Sequence, residues 1–598
     1  MLLPCRRQHL QSLIVIWLIC SGVAGGTSPL CPTSCTCKPS DKGKRRISCL
    51  AGGMTDPIPT GQMDPHTEIL EISAPPERKN WLSVTSIFQH FKQMEELHIS
   101  HSNINQINMH AFWGIPTLKI LDLSCNNISA VFDHNFRGLV NLIELNLDEN
   151  RISSLQSAVF KHLTELRILS LQRNKLHMFV PRTFLKLVKL RVLRISGNKF
   201  DELDPEAFKE IPELRTLECR HCGLQRINTQ IYHLLPYLTH LDLGYNVIQY
   251  LYYDEFQDLH RLHSLKLDGN LFPVILEHTF VNQQQLKYLC LARNRIAKLP
   301  ATALKNLTSL VELDIGYNKL YKVESVAFSH IARSLEKLII SGNNIKLEGI
   351  KTVVDAVYNV VDLSVANMKI LDFPTNFFPD RLKSLNLSGN NLTELFPEML
   401  PKQLENLDLS NNKLKGLNQS AVLHLESLTS ADLRGNPWTC ELCHITDMFF
   451  RVNKSNLFTN LTCAFPSVLN GKPLAKLNLE EIPPCGGTEY TEEDFEETSR
   501  RGLFIGLVCI LTLGVSSVTF VIYSCVKRHR DNAAQREKRT SESCQENNIA
   551  HATVFSKSQI SFQFPLDLTE RKLSVSTIDE IKKEDRQGMS NGSVVTGL

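Results

Sequence analysis

The chain has 598 residues, a formal net charge of +3, 42% hydrophobic residues and 17 cysteines. That length exceeds one compact domain and implies several domains or an extended array. The ordinary hydrophobic fraction excludes a disordered chain and a polytopic membrane protein. The near balance of charge argues against a dedicated nucleic-acid binder, and the cysteines are too sparse for a disulfide-dense miniprotein.

Residues 1–26 read as a secretory signal. Arg6 and Arg7 form its basic end, Leu13 to Cys20 its apolar run, and the small residues Gly22, Ala24, Gly25 and Gly26 its cleavage region. Residues 27–66 carry a cysteine cluster, Cys31-Pro-Thr-Ser-Cys35-Thr-Cys37 followed by Cys49.

Residues 67–435 repeat a frame of the form L-x-x-L-x-L-x-x-N-x-L, a leucine-rich repeat. Clear copies are Leu118-Leu121-Leu123-Asn126-Ile128 and Leu142-Leu145-Leu147-Asn150-Ile152. The first position recurs every 24 residues from Met94 to Leu310, then less regularly at Leu335, Tyr358, Leu382, Leu404 and Leu428. That makes fifteen repeats, or sixteen with a degenerate stretch around Leu70 and Ile72. Alternation puts the leucines inward on a short strand, and the Asn amide turns in to satisfy backbone groups at the bend. A second column, Phe112, Phe136, Phe160, Phe184, Phe208, Phe256, Phe280 and Phe328, keeps the same period, with Tyr232 and Leu304 in its gaps. The expected fold is an α/β solenoid, a horseshoe with a parallel sheet on its concave face and an aromatic spine behind it.

Outward positions of neighbouring repeats place Arg167, Arg173, Arg191, Arg194, Arg215 and Arg220 close together. Glu144, Asp148 and Glu149 precede them, and His221, His240, Tyr245, Tyr288 and Tyr317 follow. Strands about 4.8 Å apart would gather these into one basic patch between an acidic patch and an aromatic strip. Arg and Tyr are typical of interface hot spots; a solvated charged face is the plainer alternative. Glycosylation sequons stand at Asn127, Asn306, Asn386, Asn391, Asn418, Asn453 and Asn460, and none lies between Asn127 and Asn306. Four repeat cysteines remain. Cys219 and Cys222 are expected as buried free thiols, and Cys125 and Cys290 lie too far apart to pair.

Residues 436–486 hold a second cluster, Asn436-Pro437-Trp438-Thr-Cys440-Glu-Leu-Cys443, then Cys463 and Cys485. Spacing alone leaves three connectivities open in each set of four cysteines. Zinc is the competing reading of Cys440-x-x-Cys443, although secreted cysteine clusters ordinarily form disulfides. The two clusters resemble the cysteine-flanked caps of extracellular leucine-rich-repeat proteins. That resemblance implies the pairs Cys31 with Cys37, Cys35 with Cys49, Cys440 with Cys463 and Cys443 with Cys485. The chain departs from the family's Cys-x-Cys after the Trp.

An acidic stalk occupies 487–502, with Tyr490 among its acids. Residues 503–526 are apolar and long enough for one transmembrane helix. Lys527, Arg528 and Arg530 follow, which puts the C-terminal side in the cytoplasm and makes the chain a type I single-pass protein of the plasma membrane. Gly502 and Gly506 form a G-x-x-x-G suited to a helix-mediated dimer. The tail, 527–598, is polar, expected to be disordered, and contains no tyrosine. Ile560 to Leu566 is a candidate docking segment. Thr596-Gly597-Leu598 has the form of a PDZ ligand, held by strand addition with its carboxylate on backbone amides.

No nucleophile motif, phosphate loop or metal-ligand set appears, so no enzyme, cofactor or metal is expected. The architecture resembles single-pass leucine-rich-repeat receptors of neurons and epithelia, including those that direct dendrite branching in nematodes. The resemblance implies an extracellular protein ligand on the concave face, cytoplasmic scaffold partners and a role in cell or neurite morphogenesis. The alternatives are an innate-immune pattern receptor or co-receptor and a structural component of apical extracellular matrix. No nucleic-acid partner is expected.

Overall fold

The structure, a computed structural model, describes residues 30–452 and 457–485, with Ile522, Ser524 and Lys527 as separate helical positions. Apart from those three positions, the segments expected as signal, stalk, membrane span and tail lie outside the described residues, as do Thr596, Gly597, Leu598 and the sequon at Asn453. Among the described residues no helix is long and apolar enough to cross a membrane.

The repeats build one 18-stranded sheet. Its strands are β1 Thr36–Cys37, β2 Arg46–Cys49, β3 Ile69–Ile72, β4 Glu96–Ile99, β5 Ile120–Asp122, β6 Glu144–Asn146, β7 Ile168–Ser170, β8 Val192–Arg194 and β9 Thr216–Glu218. They continue as β10 His240–Asp242, β11 Ser264–Lys266, β12 Tyr288–Cys290, β13 Glu312–Asp314, β14 Lys337–Ile339, β15 Asp362–Ser364, β16 Ser384–Asn386, β17 Asn406–Asp408 and β18 Ser430–Asp432. The hairpin β1–β2 is antiparallel, and every later pairing is parallel between consecutive strands. The stretch around Leu70 is a full rung, because β3 pairs on both sides.

Three inward positions per rung make the core. Leu118, Leu121 and Leu123 are each 0% exposed, and so are Leu190, Leu193 and Ile195. The aromatic column is equally buried, with ring centroids 5.8 Å apart for Phe136 and Phe160 and 5.9 Å for Phe256 and Phe280. The constant rung length also brings Phe184 to Phe208 and Tyr232 to Phe256, so the spine is part of the core.

The buried asparagines tie rung to rung. Asn174 Nδ2 donates to the Leu147 and Leu171 carbonyls at 2.9 and 3.1 Å, and its Oδ1 accepts from the Ile152 N–H at 3.0 Å. Backbone groups that leave the sheet at the bend would otherwise be buried without partners.

The frame needs correction at one rung. Tyr358 is 49% exposed, whereas Val360 is 2% exposed and takes the first inward position ahead of Leu363 and Val365. The rung before β15 contains a ten-residue helix, Leu347–Ala356, which lengthens it and shifts the frame.

The cysteines also differ from expectation at one place. Cys219 and Cys222 are joined to each other, not free. Cys219 is the third inward residue of its rung and Cys222 replaces the bend asparagine. The turn brings their Cα atoms to 5.5 Å, within disulfide reach. At the ends, Cys31 is joined to Cys37, Cys35 to Cys49, Cys440 to Cys463 and Cys443 to Cys485. Trp438, 1% exposed, packs into the last turn of the core.

Candidate ligand-binding surface

Each rung sends the outer two residues of its strand to the solvent face of the sheet. The residue before the strand forms an edge beside it. A fourth outward position, past the bend, has left-handed backbone, with φ of 50° at Arg173, 54° at His221, and 52° at both Tyr245 and Tyr317. These columns divide the candidate residues.

The six arginines do not form one patch. Arg173 pairs with Glu149 at 2.5 Å. Arg194, on β8, lies 3.6 Å from Glu218 on β9. Arg220 pairs with Asp242 at 3.2 Å and with Asp268 at 2.5 Å, two rungs away. Arg167, Arg191 and Arg215 are different. They occupy the edge column just before β7, β8 and β9, are exposed, and form no ion pair. Their backbones are in register, with the Arg191 N–H donating to the Arg167 carbonyl at 2.9 Å and the Arg215 N–H to the Arg191 carbonyl at 2.8 Å. Beside this ridge run the half-buried Ile168 and Val192 and then Thr216, aligned across β7, β8 and β9.

The acidic flank is partly spent. Glu149 is taken by Arg173, and Asp148 accepts from the Gln172 N–H at 2.6 Å. Burial holds the Asp148 carboxyl above its ordinary range. Glu144 remains on the outer face of β6.

The tyrosines form held posts rather than a loose strip. The Arg220 guanidinium lies 4.5 Å from the centre of the Tyr245 ring, and His221 packs on that ring at 4.6 Å. Arg293 covers Tyr317 at 4.6 Å, and the Tyr317 hydroxyl accepts from Asn367 Nδ2 at 2.9 Å. Gly269 sits beneath Tyr245, where a Cβ would come within 2.8 Å of the ring. Tyr288, on β12, stands apart at 47% exposure. His240, on β10, contacts Thr239 Oγ1 at 2.9 Å, and burial lowers its pKa.

Between the ridge and the tyrosines lies a shallow depression of about 280 Å³, lined by Val192, Arg194, Thr216, Glu218, His240 and Asp242 among others. The thiols near this face are unpaired. Cys290, on β12, lies 3.7 Å from Asp314 Oδ2, and burial pushes its pKa up to about 12. Burial likewise raises Cys125, to about 11. Neither is a ready nucleophile at neutral pH.

The sequons sort by exposure. Asn418 and Asn460 are exposed, whereas Asn127, Asn306, Asn386 and Asn391 are half-buried. Asn386 ends β16 on the sheet face, and Asn418 caps the helix Gln419–Ser427 by accepting from the Ala421 N–H at 2.8 Å. Among the described residues, Glu441, Cys443 and His444 are the group close enough to hold a metal ion, and the Cys443 sulfur is engaged with Cys485.

A charged row that periodicity did not single out lies at the N-terminal end. Glu71, His98 and Asp122 align across β3, β4 and β5. His98 is 3.7 Å from both Asp122 and Glu96, and Arg46 pairs with Glu71. Interaction with Asp122 raises the His98 pKa above its ordinary value.

Known proteins share this frame. The leucine-rich-repeat family matches residues 116–176, 164–224, 212–272, 284–345 and 380–437. Human platelet glycoprotein IX is 31% identical over 100 residues, which are 16% of this chain and 55% of that protein. The chain thus spans about half the length of that relative. A TLR13–ssRNA13 complex superposes with a TM-score of 0.52 at 22% identity, covering 70% of this chain and 68% of that one. The Drosophila Toll–Spatzle complex gives 0.48 at 22% identity, covering 70% and 58%. At such identity the likeness is one of fold. Frame, asparagine ladder and family match agree that this part of the chain is built of leucine-rich repeats.

Proposed function

We propose that this chain is a type I cell-surface receptor or adhesion protein. Its solenoid binds an extracellular protein, and its tail connects to cytoplasmic scaffolds, through Thr596-Gly597-Leu598 among other segments, in cell or neurite morphogenesis. The observation that carries this reading is the ridge of Arg167, Arg191 and Arg215. It is exposed and unpaired, and it borders the sheet face within the sequon-free stretch between Asn127 and Asn306. Solvent-facing arginines beside half-buried aliphatics are the raw material of a protein interface.

Proximity labelling around the solenoid on living cells tests the reading. The full-length chain is compared with a variant carrying Arg167→Glu, Arg191→Glu and Arg215→Glu. Proteins captured by the parent chain should be lost by the variant at equal surface level. An unchanged captured set would reject the ridge as the contact. Deleting residues 531–598 separates a receptor, which loses its effect on cell shape, from a matrix component, which keeps it.

A further inference from the structure

The edge column that carries the ridge is charged along much of its length; towards both ends charges in it are matched, and Lys287 and Glu336 stand singly on their rungs. At the N-terminal end Lys119 reaches back to Glu95 at 2.8 Å. At the other end Lys383 pairs with Glu405 at 2.8 Å. Within the same rungs as the ridge, Arg173, Arg194 and Arg220 all have acidic partners. Only at the centre does the column read Arg, Arg, Arg on successive rungs, and like charges facing each other across strands work against folding. Three adjacent rungs therefore hold cations that the fold itself leaves uncompensated.

The spacing defines what compensates them. Adjacent strands lie about 4.7–4.9 Å apart, so the three arginine backbones span roughly 9.5 Å. Side chains three and four apart on a helix are about 5–6 Å apart, and i to i+7 rises about 10.5 Å. Alternate residues of an extended strand step about 6.6 Å and would span about 13 Å in two steps. A helix keeps register with the ridge, and a strand falls out of it. Ile168 and Val192, next to the ridge, offer apolar contact to the neighbouring stripe of such a helix.

Resting on the proposed receptor reading, we propose that the Arg167–Arg191–Arg215 ridge seats an acidic amphipathic helix of a partner protein. The helix lies along the solenoid at the strand-start edge. Its carboxylates at i, i+3 or i+4, and i+7 face the three guanidiniums, and its aliphatic side chains rest on Ile168 and Val192. Charge-assisted Arg–carboxylate hydrogen bonds give the seat its selectivity for acids.

The probe is a displayed library of random, helix-constrained peptides, selected on the purified full-length chain. Enriched peptides should carry Asp or Glu at three- and four-residue spacing with aliphatics alongside. Arg167→Ser, Arg191→Ser and Arg215→Ser together should weaken their binding about tenfold or more. The variant's melting temperature should equal or exceed the parent's, since no ion pair is removed. The proposal is overturned if the acids recur at alternate positions, if no acidic pattern emerges, or if the variant binds equally. It is also overturned if no peptide is enriched, or if heparin alone shows ridge-dependent binding. Should these fail while charge reversal still abolishes protein capture on cells, the receptor reading stands and only the helical seat falls.

Discussion

Glu255 is a carboxyl placed where the repeat ordinarily sets an uncharged residue. It is 7% exposed, close behind the buried Tyr232 and Phe256, and its Oε2 accepts only the Tyr252 N–H, at 3.3 Å. Burial without a cation raises its pKa to about 7. A raised pKa means that the folded state prefers the proton. The stability that the proton confers is full below the unfolded value near 4.5 and is lost as pH rises through about 7. Glu255→Gln keeps an acceptor for Tyr252 and removes the charge. It should raise the melting temperature at pH 8, by the equivalent of roughly 1–3 kcal/mol, and change little at pH 5. A pH-independent difference between the two proteins would contradict this account. His98 acts in the same direction for another reason. Asp122 holds its proton, so its contribution is present below about pH 6.5 and fades as pH rises past the folded value. Asp122 itself is held below its ordinary value by His98 and Ser124, despite burial, and stays ionised until the solution is strongly acidic. His98→Gln should therefore cost about 0.5–1 kcal/mol at pH 5.5 and almost nothing at pH 8, measured by chemical denaturation.

The repeating element is a strand, a bend and an outer arc, and its weak point is the bend. Asn174 shares its two carbonyls with neighbouring asparagines, Leu147 with Asn150 and Leu171 with Asn198, but it alone accepts the Ile152 N–H, so Asn174→Ala leaves that one buried donor without a partner. The loss should be about 1–3 kcal/mol, the cost of one buried donor left unsatisfied. Thermal denaturation beside Asn391→Ala, at a half-buried position outside the ladder, checks it, with the latter costing under about 1 kcal/mol. This ladder was legible in advance, because Asn recurs in a fixed place between fixed leucines. So were the aromatic spine and the inward faces of the strands, since a period states which side of an element a residue takes. Other features were not. Tyr358 looked like an inward residue until the helix Leu347–Ala356 lengthened its rung. Cys219 and Cys222 sit at two inward positions, and only the turn's geometry shows that they meet. The arginines were legible as a group but not as two groups. Arg220 finds Asp268 across 48 residues, and a repeat frame gives columns without saying which way a long side chain leans.

A stack of rungs has no single core that fails at once, because each rung touches only its neighbours. Its stability is set by the interfaces between rungs and by the two ends, where hydrophobic layers would otherwise meet water. At the C-terminal end Asn436 still donates to the Leu409 and Leu433 carbonyls at 3.0 and 2.9 Å, so the ladder runs into the cap. Trp438 and the bond between Cys440 and Cys463 then close the layer. Cys440→Ser with Cys463→Ser should destabilise this end by about 2–4 kcal/mol, an effect expected of a short disulfide loop. The effect should be local. Amide exchange should quicken first at β18 and β17 and leave β7 to β10, under the arginine ridge, protected as in the parent chain. Binding at the ridge should survive the same substitution. If protection instead fell uniformly along the sheet, the rungs would be one cooperative unit, and the ridge could not be altered independently of the caps.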